Sequence, residues 1–252
     1  MSGGVLNVFE RTMRQGELYA QLPQRKRKLG FALDGIAAMQ ELAPKSYASI
    51  SFGKDSICLA HMLYQIDPGL PMYFLASWES FIIHNYEEVI ESFTSRWPIN
   101  LTIVTADNVS QNPGLSWKET RDIGQHDLQD MCVREDWGGW YWGLTKEESK
   151  GRRMTLSYKW EGQPHPTIFR YKDGKYRCCP LMNWNLLDIA AYISKHNLPL
   201  LSIYKEYGLE MRTTARVTKN MAEFGGVAYL RQLGVDELNR LAARFPELRA
   251  YV

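Results

Sequence analysis

Short apolar runs, each trailed by a helix-like stretch, recur through the middle of this chain. YASIS (47–51) precedes a helical pattern over about 55–65. PMYFLAS (71–77) precedes one over about 84–96, and NLTIVTA (100–106) one over about 118–131. WYWGL (140–144) is a fourth run. Runs this short, apolar throughout and bounded by turns, are what parallel strands covered on both faces look like. Their alternation with helices predicts an α/β fold with a doubly wound sheet.

Residues 154–179 depart from that rhythm. TLSYKW, TIFRY and KYRCC are β-rich, and Lys172-Asp173-Gly174-Lys175 is a good hairpin turn. The expected sheet is therefore five-stranded and mostly parallel, with an inserted β-hairpin. Helical extensions flank it. Residues 1–46 form the N-terminal one, with LGFALDGIAAMQELA (29–43) its clearest piece and Pro44 its end. Residues 47–204 form the α/β domain, hairpin insertion at about 154–179, and 205–252 a helical C-terminal region. Asn185, with Asp188 three positions on, predicts a capped helix running to about His196.

The chain carries 30 basic and 28 acidic residues, a net charge of +2, so its total charge announces no polyanion partner. The basic residues are uneven, however. Arg25-Lys26-Arg27-Lys28 form a run, and Arg212, Arg216 and Lys219 recur at roughly helical spacing. Such runs are read first as solvated faces and second as surfaces for nucleic acid or a protein partner. No stretch reaches the ~18 apolar residues of a membrane span, and the start resembles no secretory signal. The four cysteines suggest no disulfide framework. A cytoplasmic protein with reduced thiols is the default expectation, and the helical N-terminus is compatible with a homodimer arm.

Chemistry concentrates in SISFGKDSICL (49–59), which starts as a strand, turns at Gly53 and continues as a helix. Ligands of parallel sheets bind at the carboxyl ends of strands. A helix starting there aims free N–H groups and a positive dipole at the site. Gly53 lets the backbone approach a bulky anion, Lys54 adds a charge for phosphate, and Ser51 and Ser56 add hydroxyls. Asp55 would repel phosphate, so it either caps the helix from Ser56 or holds a magnesium ion. This is not the common phosphate loop G-x-x-x-x-G-K-[ST], because Ala48 stands where its first glycine belongs and Asp follows the lysine.

The pattern instead resembles the pyrophosphate loop, S-G-G-K-D-S, of the ATP pyrophosphatase superfamily, with Phe52 in place of the first glycine. If that position needs φ > 0, Phe52 is strained. Otherwise it stays extended and packs on the sheet or the ligand. Two further segments resemble the phosphoadenosine phosphosulfate (PAPS) reductase family. Gly143-Leu144-Thr145-Lys146-Glu147-Glu148-Ser149, followed by Arg152 and Arg153, is similar to its G-[IL]-R-x-x-E-S-x-x-R. Thr145 replaces the usual arginine, and Lys146, Arg152 or Arg153 stand in for it. Pro180-Leu181, Trp184, Asp188, Tyr192-Ile193, Leu198-Pro199 and Tyr204 match a later stretch, most of them as structural residues.

The resemblance implies an adenine-nucleotide site for ATP or PAPS, built from Ser51, Phe52, Gly53, Lys54, Asp55, Ser56, Gly143, Lys146, Arg152 and Arg153. Lys54 and Asp55 would be the catalytic pair, with Mg²⁺ at Asp55. Members that reduce sulfonucleotides use a cysteine thiolate near the C-terminus. Here Cys179 is the last cysteine. Relatives that hold an iron–sulfur cluster use a C-x-x-C that is missing here. Cys178 and Cys179, with Cys132 as a third candidate, are read as packing residues before cluster ligands.

The first expectation is thus an ATP pyrophosphatase or adenylyl transferase in sulfur metabolism or nucleic-acid modification. The alternatives are a PAPS reductase with a thiol from elsewhere, and a non-catalytic nucleotide-binding protein that contacts nucleic acid or a partner. Glu79, after the second strand, is a ribose contact or a solvated acid. The tryptophans at 137, 140 and 142 are expected in core or lid packing, and His61 on the surface of its helix.

Overall fold

The computed structural model describes residues 7–76, 85–105 and 135–211, with a few isolated positions after them. The expected helix over 118–131, Glu79, Cys132 and the Arg212–Lys219 face lie outside the described residues.

Two helices lead in, α1 (Val8–Tyr19) and α2 (Pro23–Leu42). Asn7 and Glu10 close a capping box on α1, and proline opens α2 at its first turn, where no N–H is needed. Then follow β1 (Ser46–Ile50), α3 (Lys54–Ile66), β2 (Pro71–Ala76), α4 (Tyr86–Thr94) and β3 (Asn100–Thr105). After the undescribed stretch come β4 (Gly139–Trp142), α5 (Lys150–Thr155), β5 (Ile168–Arg170), β6 (Tyr176–Cys178), α6 (Leu186–His196) and α7 (Ser202–Tyr207).

The sheet has six strands in the order β3-β2-β1-β4-β6-β5. All neighbours are parallel except β5 and β6. The mostly parallel α/β sheet is as expected, but the hairpin is not a separate inserted layer. Its second strand pairs with β4, Gly139 opposite Tyr176, and its first forms the antiparallel edge. Five strands become six for that reason. TLSYKW is not a strand either. Ser149 accepts the Arg152 N–H at 3.1 Å and caps α5, so that segment leaves a short helix through turns.

Side-chain alternation sorts the strands onto two faces. Ala48, Ile50, Met72, Phe74, Tyr141 and Cys178 join the main core with α2, α3 and α6. Tyr47, Tyr73 and Trp137 form a second cluster with Trp140 against it, so these aromatics pack as expected. A Cβ on Gly16 would lie 2.6 Å from the Ala190 Cβ, so glycine is what lets α1 cross α6 closely. The strand order reverses at β1, which has β2 on one side and β4 on the other. The carboxyl ends of β1 and β4 therefore flank the topological switch point, where ligands of such sheets bind.

Candidate nucleotide site

Ser51 to Ser56 leave β1 at that switch point. Phe52 is the tight spot. Its φ is +51°, so the position demands the left-handed conformation that the sequence leaves open. That conformation costs a non-glycine residue about 1–2 kcal/mol. The ring is fully buried and meets Phe74 and Phe93 edge-on at 5.5 and 6.0 Å. Burying a phenylalanine contributes about 1.5–3 kcal/mol, enough to hold the strained turn. Phe52 thus belongs to the core and supplies only backbone to the site.

α3 begins at Lys54 with Gly53 as its N-cap and no side-chain cap. Asp55 therefore does not cap the helix; it lies in the first turn. Its Oδ2 takes the Lys54 Nζ at 2.7 Å, with both side chains 12% exposed. The Ser56 hydroxyl accepts the Ser51 N–H at 2.7 Å, tying the strand end to the helix. The Lys54 N–H donates to the Tyr204 hydroxyl at 3.1 Å. The remaining first-turn N–H groups have no acceptor within the helix.

Gly143 closes the other side. A Cβ there would stand 3.0 Å from the Ser56 Cα and 3.2 Å from the Asp55 carbonyl, so only glycine lets the segment after β4 lie against the turn. Beyond it Glu148 accepts the Thr145 N–H at 3.1 Å and pairs with Arg152. Burial pushes the Asp55 carboxyl above the usual carboxylate range, and Glu148 adds to this while Lys54 and Arg152 oppose it. Burial also disfavours the Lys54 ammonium, but Asp55, the Tyr204 hydroxyl and Glu148 outweigh it and raise its pKa. Lys54 is a charged, preorganised group at a helix start. Four charges, Lys54, Asp55, Glu148 and Arg152, join the two segments.

The other expected site residues are placed differently. Lys146 turns to the Asn183 Oδ1 at 3.0 Å, and Arg153 is exposed. A magnesium ion at Asp55 does not fit this arrangement. The Asp55 carboxylate is buried and serves as the counter-charge of Lys54, and Glu148 is committed to Arg152 and Thr145. The sequence alone marks neither Tyr204 nor Glu148 as a site residue. The signal for both is that they stand within the segments carrying the resemblance.

The cysteines among the described residues do not converge. Cys178 is in the main core and Cys179 on the opposite face with Leu156, Phe169 and Met182, so adjacent strand positions send them apart. Burial pushes all three described thiols up, Cys179 to about 12. Buried thiols of this kind are inert. Arg25 and Lys28 are also not a solvated face. Arg25 is buried with its guanidinium 4.2 Å from the Trp184 ring centre, and Lys28 donates to Asp188 at 2.5 Å. Only Lys26 and Arg27 of that run are exposed. His61 is buried rather than on the surface, with Nδ1 2.9 Å from the Tyr192 hydroxyl.

The family described as "Phosphoadenosine phosphosulfate reductase domain" matches residues 45–210. A PAPS reductase of Thiocapsa roseopersicina is 22% identical over 64% of this chain and 67% of its own length. An adenosine 5'-phosphosulfate (APS) reductase of Bacillus cytotoxicus is 28% identical over 66% and 72%. Among solved structures, a PAPS reductase of Candida auris in complex with phosphate superposes with a TM-score of 0.52. It covers 81% of this chain and 94% of its own at 13% identity, a likeness of fold. By the match over 45–210, this chain belongs to the phosphoadenosine phosphosulfate reductase domain family.

Proposed function

We propose that this chain binds an adenine nucleotide with its phosphates over the first turn of α3 and cleaves ATP between the α- and β-phosphates. An acceptor oxygen attacks the α-phosphorus and the bond to the bridging oxygen breaks. Pyrophosphate leaves with the electron pair, and the acceptor's proton passes to solvent. Such chemistry asks the protein for positioning and charge neutralisation. The observation that carries the reading is the charged Lys54 ammonium at an N-terminus without a side-chain cap, at the switch point. Sulfur metabolism and nucleic-acid modification are the two settings for the acceptor.

A second reading is sulfonucleotide reduction, favoured by the relatives named PAPS and APS reductase. A thiolate would attack the sulfonate sulfur and displace the nucleotide, and a dithiol would then release sulfite. Cys132 or a partner would supply that thiolate, because the three described thiols are buried.

Radiolabelled ATP with labelled α-phosphate separates the two. Release of AMP or AMP-adduct with pyrophosphate, lost in Lys54→Ala, supports the first. Sulfite from PAPS with thioredoxin, lost in Cys132→Ser, supports the second and sinks the first if ATP stays intact. Removing a charged hydrogen-bonding partner costs about 1.5–3 kcal/mol, so Lys54→Ala is expected to weaken nucleotide binding by about 10- to 150-fold.

A further inference from the structure

The positive charge of this chain is concentrated in one place. Lys146 to Arg177 hold nine basic residues against four acidic, while the whole chain holds 30 against 28. The rest of the chain is therefore net acidic. This segment leaves the Gly143 side of the candidate site and folds back on the sheet edge. Leu156 packs with Phe169 and Met182, the Trp160 Nε1–H donates to the Ile168 carbonyl at 3.2 Å, and the Gln163 amide donates to the same oxygen at 2.8 Å. These interactions fix a shelf beside the site. Lys150, Arg153 and Lys159 are exposed on it, and among the described residues none of them is in an ion pair. Large apolar groups stand among the charges: Tyr158 is 64% exposed and Met154 69%. Burial, with Lys159 nearby, pushes the Lys146 ammonium down.

We infer that this shelf binds a single strand of nucleic acid, its phosphates on Lys150, Arg153 and Lys159 and a base stacked on Tyr158. Cations supply salt-sensitive, sequence-independent affinity, and an exposed ring among them supplies a stacking platform that every base can use. An acidic protein surface would use the cations and leave the ring without purpose. The inference does not depend on ATP cleavage, because none of these side chains belongs to the first turn of α3.

Fluorescence anisotropy with a labelled mixed-sequence single-stranded oligonucleotide, across a salt series, tests it on the full chain. The triple variant Lys150→Ala/Arg153→Ala/Lys159→Ala is expected to lower the slope of log K against log salt by about 2, near 0.7 for each phosphate left without its cation. Tyr158→Ala is expected to weaken binding at fixed salt by about fivefold or more with the slope unchanged. Lys26→Ala/Arg27→Ala, on an exposed face elsewhere, leaves both unchanged, and so does Lys54→Ala even if it abolishes nucleotide binding. Circular dichroism confirms that each variant is folded. No binding at low salt overturns the inference, as does a triple variant with the parent's slope. Equal affinity for heparin with no effect of Tyr158→Ala also overturns it, showing a polyanion surface that touches no base.

Discussion

Two helix starts, those of α3 and α6, are built from the same materials and finished in opposite ways. Each has an acid in the first turn and a lysine ammonium on that acid. At α6, Asn185 and Asp188 close a capping box, and Lys28 at 2.5 Å with Arg25 at 3.9 Å neutralise Asp188 from another helix. Each charge meets a counter-charge inside the fold, although one Arg25 guanidinium nitrogen and the Asp188 Oδ1 have no hydrogen-bond partner among the described residues. At α3 the cap is glycine, no side chain of the helix's own sequence closes the turn, and the lysine comes from the helix itself. One terminus is a finished joint. The other keeps donors and a positive charge facing the switch point. Burial alone does not tell a structural ion pair from a functional one; what matters is whether the helix end is already satisfied.

The comparison breaks most visibly at Asp188. Asp188→Ala removes the reciprocal half of the capping box and leaves Arg25 buried beside Trp184 without its acid. Breaking a buried pair in this way costs about 3–5 kcal/mol. Urea unfolding of the variant is expected to show that loss, with nucleotide affinity per folded molecule unchanged. A loss below about 1 kcal/mol would show that the α6 joint is not what holds α2 to the sheet.

His61 and Tyr192 connect the two helices, and their pairing sharpens the comparison through pH. Burial, with His196 and Arg96 nearby, holds the His61 pKa down to about 4 from an ordinary 6.5. The folded state thus keeps His61 neutral where the unfolded chain protonates it. Its contribution is intact above pH 6.5 and is lost as pH falls toward 4, by at most about 1.4 kcal/mol per pH unit. Unfolding midpoints measured between pH 7 and 4.5 should fall, and His61→Gln should flatten that part of the slope. An identical slope in the variant would assign the acid sensitivity to other groups.

Much of this was legible in the sequence because it is local. Strand runs, the Asn185–Asp188 cap and the Gly53 turn depend on neighbours a few positions apart, where periodicity and turn chemistry act. The partnership of the hairpin with β4 is not local, and a β-rich segment looks the same whether it forms its own layer or fills an edge. The Arg25–Lys28 run misled for a related reason. Charge runs are usually solvated, and only the tertiary position of Trp184 and Asp188 turns two of the four side chains inward. His61 lies on a helix whose buried stretch, Asp55 to Leu63, wraps the full circumference, so no polar stripe marks its outside. Phe52 illustrates a conflict between levels. Local preference opposes a phenylalanine at φ +51°, and the packing against Phe74 and Phe93, invisible at the turn itself, overrules it.

The smallest expected effect concerns a side chain from elsewhere in the chain that touches the open end of α3. Tyr204 comes from α7, 150 positions away, and its hydroxyl accepts the Lys54 N–H. This is a stand-in for the missing cap, supplied by tertiary structure instead of by the helix's own sequence. Tyr204→Phe keeps the buried ring and removes the hydroxyl that accepts this N–H, a loss of about 1 kcal/mol for that hydrogen bond. If α3 is held open for an anion, a nucleotide oxygen takes over the acceptor's place. The cost should then appear in thermal unfolding without ligand and shrink when nucleotide is saturating. A penalty of the same size with and without nucleotide would mean that the tyrosine closes this terminus as firmly as Asn185 closes α6, and the contrast between the two helix starts would fail.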